Sequence, residues 1–150
     1  MNIDLLKVEL RRDEGVRYSP YLDTAKPPRR TVGCGHNMDA HPLPKGWTFP
    51  LSDAQVDQLL TDDIKTACGS LDRFLPWWRN LDEVRQRVIC NMAFNMGIGT
   101  LQTFRNTLID MKCGFYIAAA TGMRASLWAR QVGERAQRLA DAMSTGVMPS

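Results

Sequence analysis

Glu14-Gly15-Val16-Arg17-Tyr18-Ser19-Pro20-Tyr21-Leu22-Asp23-Thr24, followed by Thr31-Val32-Gly33-Cys34-Gly35-His36, is the stretch on which the reading of this chain turns. It places two carboxylates and a hydroxyl on a short, turn-rich segment. Hydrolysis of a glycosidic bond needs such a set: one carboxyl protonated, to give a proton to the leaving sugar oxygen, and one anionic, to handle water or the oxocarbenium charge.

Around this stretch the pattern divides the chain. Ile3, Leu6 and Leu10 recur at helical spacing, and Gly15 comes directly after Glu14, where a C′ glycine ends a helix. From Arg17 to Met38, Pro, Gly and the alternation of Tyr21, Thr31 and Val32 favour short strands and turns. The Pro- and Gly-rich run from Ala40 to Pro50 separates this part from the remainder of the chain. Ser52-x-x-Gln55 is a capping box ahead of Val56, Leu59, Leu60, Ile64 and Ala67, so a helix is expected over 52–69, ending at Gly69.

A further helix over Leu81 to Met96 carries Val88, Ile89, Met92, Ala93 and Phe94 and should be the buried one. Shorter helices are expected at Leu101 to Lys112, Tyr116 to Thr121 and Glu134 to Met143. No internal repeat or low-complexity run is present.

The expected environments separate the two carboxyls. Glu14 falls at the C-terminal turn of the first helix, where unpaired carbonyls disfavour an anion, so its pKa should be raised. Asp23 lies in a polar loop with Lys26, Arg29 and Arg30 close in sequence and should stay ionised.

These residues resemble the phage-type lysozymes, the muramidase family of the T-even bacteriophage lysozyme. The Glu-to-Asp separation (23 − 14 = 9) and the Thr ahead of Gly-x-Gly-His match that family. Downstream, Asn91-Met92-Ala93-Phe94-Asn95-Met96-Gly97, Trp128 and Arg135-Ala136-Gln137-Arg138 occur in the same order.

The resemblance implies an α+β, predominantly helical, lysozyme-like fold in a single domain over 1–150. It would have two lobes, about 12–51 and 70–150 with the N-terminal helix, joined by helix 52–69 and enclosing a substrate cleft. It implies hydrolysis of the β-1,4 bond between N-acetylmuramic acid and N-acetylglucosamine in bacterial peptidoglycan, by a monomer needing no cofactor.

It further implies that Glu14 is the general acid, Asp23 the carboxylate across the cleft and Thr31 the hydroxyl that positions water. Single displacement with inversion would then set the carboxyls about 6.5–9.5 Å apart. Asn37, Phe94 and Thr107 match glycan-contacting positions, and Arg135 matches a cationic partner of the catalytic Glu. His36 is expected to be structural, donating to a backbone carbonyl or to an Asp. The matching family position for a further sugar contact is often Asn, but here it is Gly122.

One departure stands out. Asp23 and Thr31 are 31 − 23 = 8 positions apart, longer than is usual in the family, and the loop carries Pro27-Pro28 with Lys26, Arg29 and Arg30. Either the tip bulges with Thr31 in place, or Thr31 is displaced. The three cations are expected to contact anionic groups of the wall.

Composition excludes several other readings. At 150 residues the chain can bury a core without metals or disulfides. Asp4 and Glu9 stand where a signal peptide would be basic and then apolar, so the chain is expected to be soluble, without stable membrane insertion. Under the family reading it would gather in the host cytoplasm until a holin-like protein opened the membrane.

Cys34, Cys68, Cys90 and Cys113 are read as buried free thiols, and no metal is expected, since Cys34-x-His36 with His41 lacks ligand spacing. The net charge is +3, with Arg124, Arg130, Arg135 and Arg138 late and Asp53, Asp57, Asp62 and Asp63 in the middle. No helix-turn-helix with a basic recognition helix is present, so nucleic acid is not an expected partner. A non-catalytic wall-binding module or a tail-associated component on the same fold is the alternative.

Overall fold

The computed structural model describes residues 1–150. It is mostly helical with one small antiparallel sheet: α1 (Ile3–Glu14), β1 (Arg17–Leu22), β2 (Arg30–Gly33), β3 (His36–Asn37), α2 (Asp53–Phe74), a 3-10 turn (Pro76–Asn80), α3 (Glu83–Met96), α4 (Ile98–Gln102), α5 (Arg105–Cys113), α6 (Tyr116–Ala125), α7 (Leu127–Val132) and α8 (Glu134–Thr145). The lysozyme-like α+β fold class expected from sequence is present. Two compact units can be distinguished: Ile3–Thr66, and Ala67–Ser150 together with Met1–Asn2.

In the N-terminal unit, α1 stops where the sequence says it should. Gly15 adopts φ +70° and its N–H donates to the Arg11 carbonyl at 3.0 Å, a left-handed C-cap that a side chain would strain. The sheet order is β1-β2-β3, pairing Tyr21 with Thr31, Leu22 with Arg30, Thr31 with Asn37 and Val32 with His36. Beneath it Val32, Leu51, Val56 and Leu59 form a core, with Val16, Met38, Leu43 and Trp47 packed against it.

The capping box at the start of α2 is reciprocal. Ser52 N–H donates to Gln55 Oε1 (2.9 Å) and Gln55 N–H to Ser52 Oγ (3.1 Å), which satisfies two end-of-helix donors.

The larger unit corrects several expected boundaries. Helix α2 does not stop at Gly69 but runs to Phe74, because Leu71 is fully buried and its carbonyl accepts from Leu75 N–H. That burial outweighs the roughly 1 kcal/mol cost of a helical glycine. Helix α3 begins at Glu83 rather than Leu81, since the Asp82 carboxylate caps it by accepting from Arg85 N–H.

The single helix expected over 101–112 is broken at Thr103–Phe104 into α4 and α5. Helix α6 passes Gly122 to reach Ala125, and α8 extends to Thr145, where Gly146 caps it with φ +77°. Helix α7 has no counterpart in the sequence pattern; Ser126 starts it by accepting from Ala129 N–H. The core here is Val88, Ile89 and Met92 of α3 with Leu101, Met111, Met123, Leu139 and Met143. Fully buried Ala119, Ala120, Ala136 and Ala140 let α6 and α8 approach closely.

Candidate active site

The N-terminal unit holds Glu14 at the end of α1, Asp23 just after β1 and Thr31 on β2. Glu14 is the last residue of α1 and half-buried. Its carboxylate lies against the backbone of Gly35: a Cβ built there would come 2.9 Å from Glu14 Oε2. Gly35 has φ +67°, so the absence of a side chain serves both the turn between β2 and β3 and the carboxylate.

Asp23 comes just after β1, and its oxygens are fully engaged by the hairpin. Oδ1 accepts from Ala25 N–H (3.1 Å) and Arg29 N–H (2.9 Å), and Oδ2 accepts from Arg29 Nε (3.0 Å). Partial burial pushes the Asp23 carboxyl upward, but the Arg29 and Ala25 amides and the Arg29 guanidinium outweigh it and hold the group below the usual Asp value. It is the ionised carboxylate expected from the sequence.

Thr31 lies on β2, buried, opposite both Tyr21 and Asn37. Its Oγ1 donates to the Arg29 carbonyl at 3.0 Å, and the same carbonyl accepts from Asp23 N–H at 3.0 Å. Arg29 therefore joins the two residues. The longer connection is closed off by this pairing, and residues 24–28 form a mostly exposed tip while Thr31 keeps its place in the ladder.

The tip does not present three open cations. Arg29 pairs with Asp23, and Arg30 pairs with Asp39 through Nε (2.9 Å), which leaves Lys26 as the only one of the three without an ion pair.

His36 is buried and bonded at both ring nitrogens, Nδ1 to Asp63 Oδ2 and Nε2 to the His41 carbonyl, each at 2.8 Å. Both neighbours are acceptors, so the ring satisfies them only as imidazolium. Burial pushes its pKa down, but Asp63 and the carbonyl overcome this, and the net shift is upward. Asn37 Oδ1 accepts from Asp39 and Ala40 N–H, an Asx turn that commits this oxygen to the loop.

The remaining candidates belong to the larger unit. Arg135 is buried on α8, donating through Nε (3.0 Å) and Nη2 (2.8 Å) to Asn91 Oδ1. Phe94 is half-buried on α3. Thr107 is one wall of a pocket of about 850 Å³, together with Phe104, Gly122, Ser126, Trp128 and Gln131. The Trp128 indole donates to Asn95 Oδ1 (2.7 Å) and meets the edge of Phe104 at 6.3 Å between ring centroids. At Gly122 any Cβ would sit 2.3 Å from Thr107 Oγ1, so that hydroxyl fills the space a side chain would need.

The profile of the family described as Phage lysozyme matches residues 11–142, which takes in Glu14, Asp23, Thr31 and the whole pocket. The chain belongs to the phage lysozyme family. It is thus a glycoside hydrolase of the lysozyme type. Among curated relatives, the pre-baseplate central spike protein Gp5 of Enterobacteria phage T4 is 31% identical across 94% of this chain, which spans 28% of Gp5. Probable T4-type lysozymes 1 and 2 of Dictyostelium discoideum are 24% and 26% identical, each match covering 97% of both chains.

In this phage lysozyme chain each of the two units holds candidate residues that the sequence pattern does not single out. Tyr21 is one: Arg17 stacks on its ring at 4.2 Å, and burial, then the charge of Glu14, raises its pKa. Its period-2 position opposite Thr31 was a usable signal. Asp63 is another in the same unit, known to sequence only as a member of an acidic run; in the larger unit Asn91, which opens the family motif, takes its role as the acceptor for Arg135 only in the fold. Phe104, Ser126 and Gln131 are spread along the chain (131 − 104 = 27 positions from first to last) with no periodic signature, so only the fold gathers them.

Proposed function

We propose that this lysozyme is an endo-acting muramidase that cleaves the β-1,4 bond between N-acetylmuramic acid and N-acetylglucosamine in peptidoglycan, as the endolysin of a phage or prophage. The carrying observation is Asp23. Its carboxylate is held ionised by two amides and a guanidinium, one strand away from buried Thr31 and in the same unit as Glu14 at the end of α1.

In this reading Glu14 is the general acid that protonates the leaving sugar oxygen. Asp23 supplies the anionic charge opposite the developing oxocarbenium ion, and Thr31 positions the attacking water, whose single displacement inverts the anomeric centre. Arg135, fixed by Asn91, and His36 support the site; Asn37, Phe94 and Thr107 contact the glycan. Proton transfer and electrostatics suffice, so no cofactor takes part. The enzyme acts as a monomer, waits in the host cytoplasm and reaches the wall after a holin-like protein opens the membrane.

The test compares the intact chain with Glu14→Gln on purified peptidoglycan, monitoring turbidity and new reducing ends. New muramic-acid reducing ends that vanish in Glu14→Gln are the expected result. Binding without new ends in either protein would overturn the enzymatic reading in favour of a wall-binding module.

The likeness to Gp5, a baseplate spike protein, favours one second reading: that the domain serves in the virion rather than as free endolysin. Quantifying the chain in purified virions and in the soluble lysate separates the two.

A further inference from the structure

The four cysteines of this chain form no disulfide, and two of them meet. Cys68 of α2 and Cys90 of α3 lie with their sulfurs 3.8 Å apart, both inside the larger compact unit. Nothing in the proposed chemistry uses them. Cys90 is fully buried, whereas Cys68 is half-buried and reachable from solvent. Cys34 is buried in the other unit, whereas Cys113, contrary to the burial expected from sequence, is exposed at the end of α5.

We propose that Cys68 and Cys90 form a dithiol site that a disulfide-bearing oxidant converts into an intramolecular disulfide joining α2 to α3. The asymmetry of the pair assigns the order of steps. Of the two, only Cys68 can be reached by an external disulfide, and its contact with the Cys90 sulfur, opposed by burial and assisted by the Arg79 charge, lowers the pKa of Cys68. The same contact, with burial, raises that of Cys90. Arg79 is itself anchored, bonded to Asp72 and stacked over the Trp78 ring at 4.2 Å.

Cys68 is therefore the attacking thiolate. It displaces one thiolate from the oxidant's S–S bond and forms a mixed disulfide. Cys90, losing its proton, attacks Cys68 sulfur and expels the second thiolate. The two protein thiols are oxidised, and the oxidant's disulfide is reduced to two thiols.

The closed loop encloses the 3-10 turn and the buried Trp78, and its 22-residue separation would remove chain entropy from the unfolded state. Under the endolysin reading, on which this consequence alone rests, the staple forms when the chain leaves a reducing compartment for an oxidising one.

The full chain is incubated with oxidised glutathione, then examined by intact mass, peptide mapping and thermal unfolding. The expected product has lost the mass of two hydrogens, carries a Cys68–Cys90 cross-linked peptide, and melts about 5–10 °C higher, a gain dithiothreitol reverses. In Cys90→Ala the reaction stops at glutathione attached to Cys68. A stable glutathione adduct on Cys68 in the unaltered chain, cross-links through Cys34 or Cys113 only, or unreacted Cys68 and Cys90 each overturn the proposal. Wall hydrolysis is not read, so failure of the muramidase reading leaves this result interpretable.

Discussion

Arg29 and Asp23 are tied by three hydrogen bonds, the Arg29 amide and Nε donating to the two carboxylate oxygens and the Asp23 amide donating back to the Arg29 carbonyl. A lengthened hairpin thus supplies its own counter-ion to the carboxylate beside the candidate site. The low pKa of Asp23 adds stability at pH values above its ordinary value of 3.8, and this is lost as pH falls through the folded value. Arg29→Ala keeps the backbone bonds and removes the cation. The pair is half-exposed on the Arg side, so the cost to stability stays within about 1 kcal/mol. The acid limb of kcat/KM moves to higher pH in this variant; an unmoved limb would mean the guanidinium does not tune Asp23.

Glu14 depends on what Gly35 lacks. In Gly35→Ala a methyl group meets the carboxylate at 2.9 Å and the residue must hold φ +67°, a conformation costing an L-residue about 1–2 kcal/mol. Activity should fall by about tenfold or more, through kcat rather than KM, because a small misplacement of the proposed acid weakens proton transfer. A variant with normal kcat and merely lowered Tm would detach Gly35 from the chemistry.

Much of this arrangement was legible because its causes are local. Gly15 after Glu14 and the Ser52–Gln55 box act within a single turn of chain, and both ends fall where the residues put them. The class of partner for His36 was legible from its chemistry, although Asp63 lies 27 residues away and only the fold selects it. What misled was glycine read as punctuation: Gly69 and Gly122 are interior helical residues, kept by the burial of Leu71 and by the Thr107 hydroxyl. The cationic tip misled because the same hairpin turns Arg29 back onto Asp23, and because Asp39 meets Arg30 only through the pairing of β2 with β3.

The His36–Asp63 pair predicts a pH signature in stability. The folded pKa of His36 is raised above 6.5, so its contribution is fully present below about pH 6.5 and declines as pH rises through the folded value. Asp63→Asn keeps the shape of the side chain and removes the charge, leaving a buried imidazole with one acceptor neutralised. The loss should be about 2–4 kcal/mol in mildly acidic solution and shrink toward alkaline pH. Urea unfolding of both proteins across that range checks it; a pH-independent difference would show that packing, not the ion pair, is at stake.

Gly122 and Thr107 should be coupled in the opposite sense from an ordinary contact. Replacing an interior helical glycine by alanine normally stabilises by about 1 kcal/mol. Here the new Cβ would lie 2.3 Å from Thr107 Oγ1, and β-branched Thr107 has few rotamers into which to retreat. Gly122→Ala alone should therefore destabilise by about 1–3 kcal/mol. In a Thr107→Ala background the obstruction is gone, and the same substitution should recover its ordinary gain. The interaction term of the double-mutant cycle, expected at about 2–4 kcal/mol, reads the steric contact directly. Additive effects would mean that the pocket wall yields freely, in which case the glycine is not what sets the pocket's shape.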